Sequence, residues 1–140
     1  VLKDVKIKNE FKWQKEHLKS IQAAYRTAPY FEFFEDELLP IYQKRFTYLL
    51  DFNLACFHTL SNMMNMSISY KTTDNYQLDE NDYVFYSYLA NAKREVKLEP
   101  YNQVFMEKYG FLSNLSILDL IFNLGNESRA HLTRLSKKLA

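Results

Sequence analysis

Three polar residues interrupt an otherwise apolar run near the end of the chain, where residues 110–125 read GFLSNLSILDLIFNLG. Ser116, Asp119 and Asn123 are spaced three and four residues apart, so a helix would place them on one face. Such a face can belong to a central helix and point into an internal polar network or a cleft. It can also be a thin strip facing solvent, and Ser116 with Asp119 resembles a helix capping pair. The sequence leaves these alternatives open.

A second candidate pair lies near the start of the chain. Trp13 and His17 are four residues apart, so in a helix they can stack or form one wall of a pocket. The unperturbed pKa of histidine is about 6.5, which would let His17 act as a general base near neutral pH. The alternative is an aromatic pair at the edge of the core, with His17 hydrogen-bonded to a backbone carbonyl. The residue types alone favour this alternative.

Two amide side chains are candidates for ligand contact. Asn53 falls at the centre of an apolar stripe in a predicted helix, and an unsatisfied buried amide costs about 1–3 kcal/mol. We therefore expect Asn53 to bond either a neighbouring loop or a ligand. Gln103 alternates with Tyr101 and Phe105, and in an extended segment all three side chains would point the same way. That pattern fits a ligand-binding edge or an ordinary half-buried strand.

Several kinds of chemistry lack their usual signatures. His17, His58 and His131 show no metal-ligand spacing and no cysteine pair accompanies them, so we predict neither a metal site nor a cofactor. The chain has only two glycines, which excludes a glycine-rich phosphate loop. Cys56 lies in the apolar run LACFHTL and is predicted to be a packed core residue rather than a catalytic thiol.

The composition is that of one ordinary globular domain. The 140 residues carry a net charge of +1, which favours neither nucleic acid nor an anionic membrane as partner. A single cysteine suits a reducing cytoplasm. No run of about 18 apolar residues occurs, so we expect no membrane span.

Apolar periodicity predicts the elements that must position these residues. A helix should run from an N-cap at Asn9 to a stop at Pro29, followed by a connector over 29–40 with about one helical turn. The apolar stripe of this helix is predicted to hold Phe11, Leu18, Ile21, Tyr25 and Ala28. The longest helical pattern covers residues 41–64. A shorter helix should start at a cap at Ser113 or Asn114 and end at Gly125. Its core face is predicted to hold Leu115, Leu118, Ile121 and Phe122. A final basic helix covers the last 14 residues, ESRAHLTRLSKKLA.

Two further segments show alternation that favours extended structure. These are residues 1–9, VLKDVKIKN, and residues 67–73, SISYKTT. We therefore predict a mainly α fold of three or four helices, to which the sequence allows a short strand or two.

Three stretches of the chain together resemble the WbqC-like family of bacterial proteins. They are DVKIKNEFKWQKEHLKSIQAAYRTAPYF, YNQVF and GFLSNLSILDLIFNLG. The resemblance covers residues 4–60 and 100–127. It implies an association with gene clusters for bacterial surface polysaccharides of the O-antigen type, and a suspected role in modifying or transferring sugar or acyl groups. The positions that it makes worth testing are Trp13, His17, Gln103, Asn114, Asp119 and Asn123.

The chain also departs from the pattern of this family. Family members usually have a proline where Ser113 stands, and they begin with a further segment that precedes the position of Val1. We therefore expect residues 1–140 to be a single domain, the C-terminal portion of a longer WbqC-like protein. Residues 66–99 match little in the family, and residues 71–100 are predicted to be a variable connector.

Two functional hypotheses follow. In the first, the protein is a transferase-like enzyme acting on a nucleotide-activated sugar or an acyl donor, with His17 as general base. Asp119 would either orient His17 or bind a sugar hydroxyl. This hypothesis assigns substrate binding to a set of aromatic and amide side chains: Trp13, Asn53, Gln103, Asn114 and Asn123.

In the second hypothesis the chain is a non-catalytic helical module that binds a partner or forms a homo-oligomer. Its contact surface would be built by exposed aromatic residues. The candidates are Tyr83, Phe85, Tyr86 and Tyr88.

Overall fold

The computed structural model describes residues 2–72 and 98–139, with side chains over 3–72 and 98–136. The α-helices of these residues are α1 (Trp13–Tyr25), α2 (Phe31–Gln43), α3 (Leu49–Met63), α4 (Met106–Tyr109), α5 (Ile117–Leu124) and α6 (Ser128–Leu139). Short 3-10 turns occupy Leu2–Asp4 and Gly125–Glu127. The prediction of a mainly α fold is confirmed. The described residues contain no strand, only an isolated antiparallel bridge between Lys6 and Tyr48.

The core is built around one face of α2. Phe31, Phe34, Leu38 and Ile41 recur at helical spacing and are all buried, as expected for an amphipathic helix that packs on one side. This face lets α2 contact α1, α3 and α5. Phe122 of α5 is fully buried and places its ring edge-on to Phe31, with the ring centroids 5.1 Å apart. Helix α5 is therefore held directly against the three-helix part of the molecule.

The prediction of a connector over residues 29–40 was wrong. These residues instead form most of the 13-residue helix α2, which includes Pro40. Proline inside a helix removes one backbone hydrogen bond and costs about 3 kcal/mol. Burying four large apolar side chains on one face offsets that cost, since each contributes about 1.5–3 kcal/mol.

The single long helix predicted over residues 41–64 was also wrong, because the chain leaves the helical conformation after Gln43. At Lys44 the backbone becomes extended, with ψ at 132°. The N-terminal arm occupies the break: Ile7 N donates to Thr47 O at 2.9 Å, and Leu49 N donates to Val5 O at 2.9 Å. Contacts between segments about 40 residues apart thus decide where α2 ends and α3 begins.

Asn9 bonds the backbone in the break between α2 and α3 instead of capping α1. Its side-chain nitrogen donates to Phe46 O at 2.7 Å, and its side-chain oxygen accepts from Trp13 Nε1 at 3.3 Å. Helix α1 begins at Trp13 after Lys12, which makes no side-chain cap. Phe11, predicted to lie on the buried stripe of α1, is 66% exposed because it precedes the first helical turn.

Helix α5 starts later than predicted. Its N-cap is Ser116, whose hydroxyl accepts from Leu118 N, rather than Ser113 or Asn114. Leu115 therefore precedes the helix and is exposed, although it was expected on the core face. Gly125 ends the helix, as predicted, with φ at 55°. Cys56 packs against the core as a half-buried free thiol.

A bilayer-spanning helix, which needs about 20 mostly apolar residues, does not occur in the described part of the chain.

Candidate functional site: a buried carboxylate beside a cavity

A buried carboxylate lies at the centre of the polar stripe of α5. Asp119 is 3% exposed, and its Oδ2 accepts hydrogen bonds from Tyr101 Oη at 2.7 Å and from Gln103 Nε2 at 3.1 Å. Asn123 is also buried, and its Nδ2 donates to the backbone carbonyl of Asp119 at 2.7 Å. The stripe therefore belongs to an internal polar network, whereas its first member, Ser116, is an exposed helix cap.

The segment before α4 supplies both donors and is itself held in place by a side chain. Gln103 Nε2 donates to Leu112 O at 2.9 Å as well as to Asp119. Leu112 N in turn donates to Gln103 Oε1 at 2.9 Å. The amide thus uses both of its N–H groups and its oxygen, so its orientation is fixed. Because Gln103 and Leu112 are nine residues apart, this pair closes the loop that carries α4.

The carboxylate benefits from its position on the helix as well as from these donors. Asp119 lies in the first turn of α5, where unpaired backbone N–H groups and the helix dipole favour a negative charge. Hydrogen bonds to an ionised acceptor are about twice as strong as those between neutral groups. Together these interactions offset the cost of removing a carboxylate from water.

The pKa values of two tyrosines are raised, in part by this carboxylate. The pKa of Tyr25 is raised to about 12, first by burial, then by the negative charge of Asp119 and a hydrogen bond to it. Burial also raises the pKa of Tyr101, and its hydrogen bond to Asp119 raises it further. Both phenols therefore keep their protons at neutral pH and remain donors. Tyr25 comes from α1, so the network joins α1, α5 and the segment before α4.

A cavity of about 450 Å³ lies next to this network, between α5, α6 and residues 98–101. Its size falls within the range of small-molecule sites. Six aliphatic side chains line it: Leu98, Leu115, Ile117, Leu120, Leu132 and Leu135. The polar lining residues are Tyr101, Asn114, Ser116, His131 and Ser136.

Tyr101 connects the cavity with the carboxylate. Its ring lines the cavity, while its hydroxyl donates to Asp119. The ring also meets the imidazole of His131 edge-on, with the ring centroids 5.4 Å apart. His131 is 3% exposed and belongs to the same cavity wall. One aromatic side chain therefore separates a buried carboxylate from a cavity that contains an imidazole.

The structure brings together some of the residues singled out from the sequence. Asp119, Gln103 and Asn123 form one network, and Asn114 lies at the cavity. Asn114 has a positive φ of 59°, a conformation that asparagine tolerates better than most residues.

Trp13 and His17 lie in a different environment from Asp119. Their rings are 5.3 Å apart, and Trp13 also packs against Phe52 at 5.2 Å, while His17 is exposed. The residue of α1 that reaches Asp119 is Tyr25, eight residues and about 12 Å further along the helix. The predicted orientation of His17 by Asp119 is therefore not supported by their positions.

Asn53 does not occupy the centre of a buried stripe, so that prediction was wrong. It is exposed on α3. Because α3 begins only at Leu49, its buried face is set by a different register from the one predicted. That face is formed by Phe52, Cys56, Leu60 and Met63.

The roles of Tyr25 and His131 were not predicted from the sequence. Tyr25 was assigned to the apolar stripe of α1, and only the tertiary contact with Asp119 shows its polar function. His131 was examined only as a metal ligand. A usable signal was present, since His131 shares a helical face with Ser128 and Leu135 in the last helix, and Ser128 is also fully buried. Within the described residues, no three His, Cys, Asp or Glu side chains are grouped as metal ligands.

These features define a mainly helical protein with a carboxylate network beside a small cavity. Comparison of the sequence with known families gives a more specific assignment: the WbqC-like protein family matches residues 1–97. The chain belongs to this family. Neither the curated proteins nor the solved structures that were compared include a match. Asp119, Tyr101 and His131 lie C-terminal to the matched range, while Tyr25 lies within it.

Proposed function

We propose that the protein is a transferase-like component of bacterial surface-polysaccharide biosynthesis, of the O-antigen type, that takes an activated sugar or an acyl donor. Membership of the WbqC-like family, with the setting that the resemblance implies, supports the biological context. The observation that carries the proposal is the cavity whose wall contains both His131 and Tyr101, with Asp119 directly behind Tyr101. We expect the protein to act in the cytoplasm, where Cys56 would stay reduced.

Buried ionisable groups next to a cavity are a recognised feature of functional sites. Here two elements, the segment before α4 and helix α1, direct hydrogen-bond donors at one carboxylate of α5. This arrangement fixes the Tyr101 ring in the cavity wall, which is what positioning of a ligand or of His131 would require.

His131 replaces His17 as the proposed general base, because His131 lies in the cavity wall and His17 does not. In the transfer step, His131 accepts the proton of an acceptor hydroxyl or amine as that atom bonds to the donor carbon. The donor's leaving group departs with the electron pair of the bond that breaks. Asp119 acts as a positioning residue through Tyr101. Asn114, at the cavity rim, supplies a hydrogen bond to the donor head group.

Binding measurements on single variants test this assignment. The purified chain is titrated calorimetrically with a uridine-diphosphate sugar and with a short acyl-coenzyme A. We expect His131→Asn to weaken binding of the accepted donor, or to slow its transfer, at least tenfold. His17→Asn is the matched control and should leave both unchanged. If His17→Asn alone abolishes binding or transfer, the site lies at the Trp13–His17 pair and the proposal is wrong.

A second variant is needed, because replacing the buried His131 can also destabilise the fold. Asn114→Gly keeps the positive φ that the backbone requires and removes only the amide at the cavity rim. We expect it to weaken donor binding severalfold without lowering the melting temperature by more than a few degrees. Unchanged binding of every donor by both variants would exclude the cavity as the donor site.

The alternative is a non-catalytic binding or oligomerisation module. The aromatic residues first proposed for its contact surface, Tyr83 to Tyr88, lie outside the described residues. Other large aromatic side chains support it: Phe33 is 69% exposed and Phe11 is 66% exposed. Sedimentation at high concentration tests this alternative. The binding-module alternative predicts a dimer, which Phe33→Ser or Phe11→Ser should dissociate. A monomer would contradict this alternative and leave the transferase proposal unaffected.

A further inference from the structure

We infer that the cavity between α5 and α6 binds the aliphatic chain of an acyl donor, not the sugar of a nucleotide sugar. The inference names the substrate class of the site proposed above, and it rests on that proposal for the transfer reaction. Binding of the chain itself can be measured independently of any transfer. The inference starts from the lining residues, six of which are leucine or isoleucine.

The polar lining residues are the decisive point, because three of their hydroxyls already have partners within the protein. Tyr101 donates its hydroxyl hydrogen to Asp119. Ser136 Oγ donates to Thr133 O at 3.0 Å, and Ser116 Oγ accepts from Leu118 N at 3.2 Å. Tyr101 and Ser136 have therefore already used their hydroxyl hydrogens, and Ser116 is the one of the three that keeps a donor for the cavity.

A sugar ring would be poorly matched to such a wall. Several ring hydroxyls would leave water, and each polar group that leaves water without a partner lowers affinity. A site that recognises a sugar needs side chains that converge on those hydroxyls. An aliphatic chain has no such requirement, and leucine and isoleucine side chains provide the contacts that it needs.

The polar group at the head of an acyl donor also has a place at this site. Asn114 precedes α5 and lies at the same cavity as His131. An amide side chain can donate to a thioester or ester carbonyl, and the imidazole can accept from the attacking hydroxyl or amine. The chain would then occupy the aliphatic part of the cavity, with the carbonyl carbon near His131.

A chain-length series provides the test. N-acetylcysteamine thioesters of acetyl, butyryl, hexanoyl and octanoyl groups share one head group and differ only in methylenes. Each buried methylene should tighten binding about fourfold, until the cavity is full. The dissociation constants are measured by calorimetry on the purified chain. Affinity that does not change along the series would overturn the inference.

Two leucines offer a matched pair of variants. Leu115 and Leu112 are both 43% exposed, but only Leu115 lines the cavity, so a larger side chain should be tolerated by the fold at either position. Leu115→Trp should fill part of the cavity and weaken octanoyl binding at least tenfold, while acetyl binding changes little. Leu112→Trp should leave the whole series unchanged. Equal effects of both variants would place the chain elsewhere and overturn the inference.

A nucleotide-sugar titration separates this inference from the proposed function. If a uridine-diphosphate sugar binds, and Leu115→Trp weakens it while the thioesters do not bind, the acyl inference is wrong and the transferase proposal stands. If neither donor class binds, both are wrong. If the thioesters bind with the expected chain-length dependence but His131→Asn leaves transfer unaffected, the inference stands and the proposed catalytic role is wrong.

Discussion

The Trp13–His17 pair and the Asp119 network have similar sequence patterns but different structural environments. Each is a set of polar or aromatic residues spaced three or four apart in a helix. His17 is exposed, and the contacts of the pair are mainly between rings. Asp119 is buried and accepts hydrogen bonds from two residues in a distant segment. Helical spacing places residues on a common face, but only the neighbouring elements determine whether that face is covered.

This difference determines how much folding stability is lost when a residue of either region is changed. Changing the exposed His17 should lose little, since water replaces the lost contact. A buried carboxylate with fixed donors is coupled to each of them, so its removal leaves polar groups without partners. The following substitutions test that contrast. The first removes the ring of Phe122, which joins α5 to α1 and α2.

Phe122→Ala should be the most destabilising of these changes. Its ring is fully buried and lies 5.2 Å from Tyr25 and 5.1 Å from Phe31. Truncation of such a core aromatic costs about 3–5 kcal/mol, which urea denaturation would measure. Phe33→Ala, at an exposed site in α2, is the control and should cost less than about 1 kcal/mol. Similar losses for the two variants would mean that α5 is not anchored by Phe122.

Asp119→Ala should rank second, at about 3 kcal/mol, because Tyr101 and Gln103 would both lose their acceptor. Asp119→Asn keeps one acceptor oxygen and should recover part of that loss. His17→Ala should cost about 0.5 kcal/mol or less, as is usual for an exposed position. The measurement is again the free energy of unfolding in urea. A His17→Ala loss as large as that of Asp119→Ala would remove the distinction between the two regions.

Gly125→Ala should cost about 2 kcal/mol, since its φ of 55° and ψ of −127° are strained for a residue with a Cβ. The added Cβ would also come within 2.7 Å of the Tyr30 ring. The double variant with Tyr30→Ala should remove the clash while the backbone strain remains, which a double-mutant cycle of thermal unfolding would resolve. Full recovery in the double variant would show that strain is negligible.

The smallest effect is a pH dependence to which Tyr25 contributes beside Tyr101. The pKa of Tyr25 is raised from 10.0 in a model compound to about 12. Between these values the unfolded chain releases a proton that the folded chain keeps, so stability should fall as pH rises. This contribution is fully present below pH 10 and lost by about pH 12.

Tyr25→Phe should flatten that part of the stability profile, measured by urea denaturation at several pH values. The exposed Tyr109 provides the matched control, and Tyr109→Phe should leave the profile unchanged. A profile that keeps its slope in Tyr25→Phe would show that Tyr25 is not the group responsible.

Part of the fold could be predicted because it depends on local spacing. The apolar repeat between Asn9 and Pro29 predicted a helix that contains α1, and the run around residue 118 predicted a helix that ends at Gly125. The polar stripe of Asp119 and Asn123 was also visible, since it requires only that the segment is helical. For the same reason the mainly α class was predicted correctly.

The errors share one physical cause, which is dependence on distant partners. Pro40 was interpreted as a helix boundary, but burial of the α2 face against α1, α3 and α5 outweighs its cost. The break between Lys44 and Tyr48 depends on pairing with the N-terminal arm, and the assumed continuous helix placed Asn53 on the wrong face. No pattern near residue 53 carries that information.

The sequence by itself determined the helical class, the approximate place of α1 and α5, and a carboxylate on one face of an apolar helix, because these follow from the periodicity of neighbouring residues. The tertiary structure decided that Tyr25, Tyr101 and Gln103 converge on that carboxylate, and that His131 lies with Tyr101 at a cavity. These residues come from segments separated by up to about 100 positions in the chain. Only packing of those segments against a shared core brings the donors to Asp119 and places the ring of His131 against that of Tyr101.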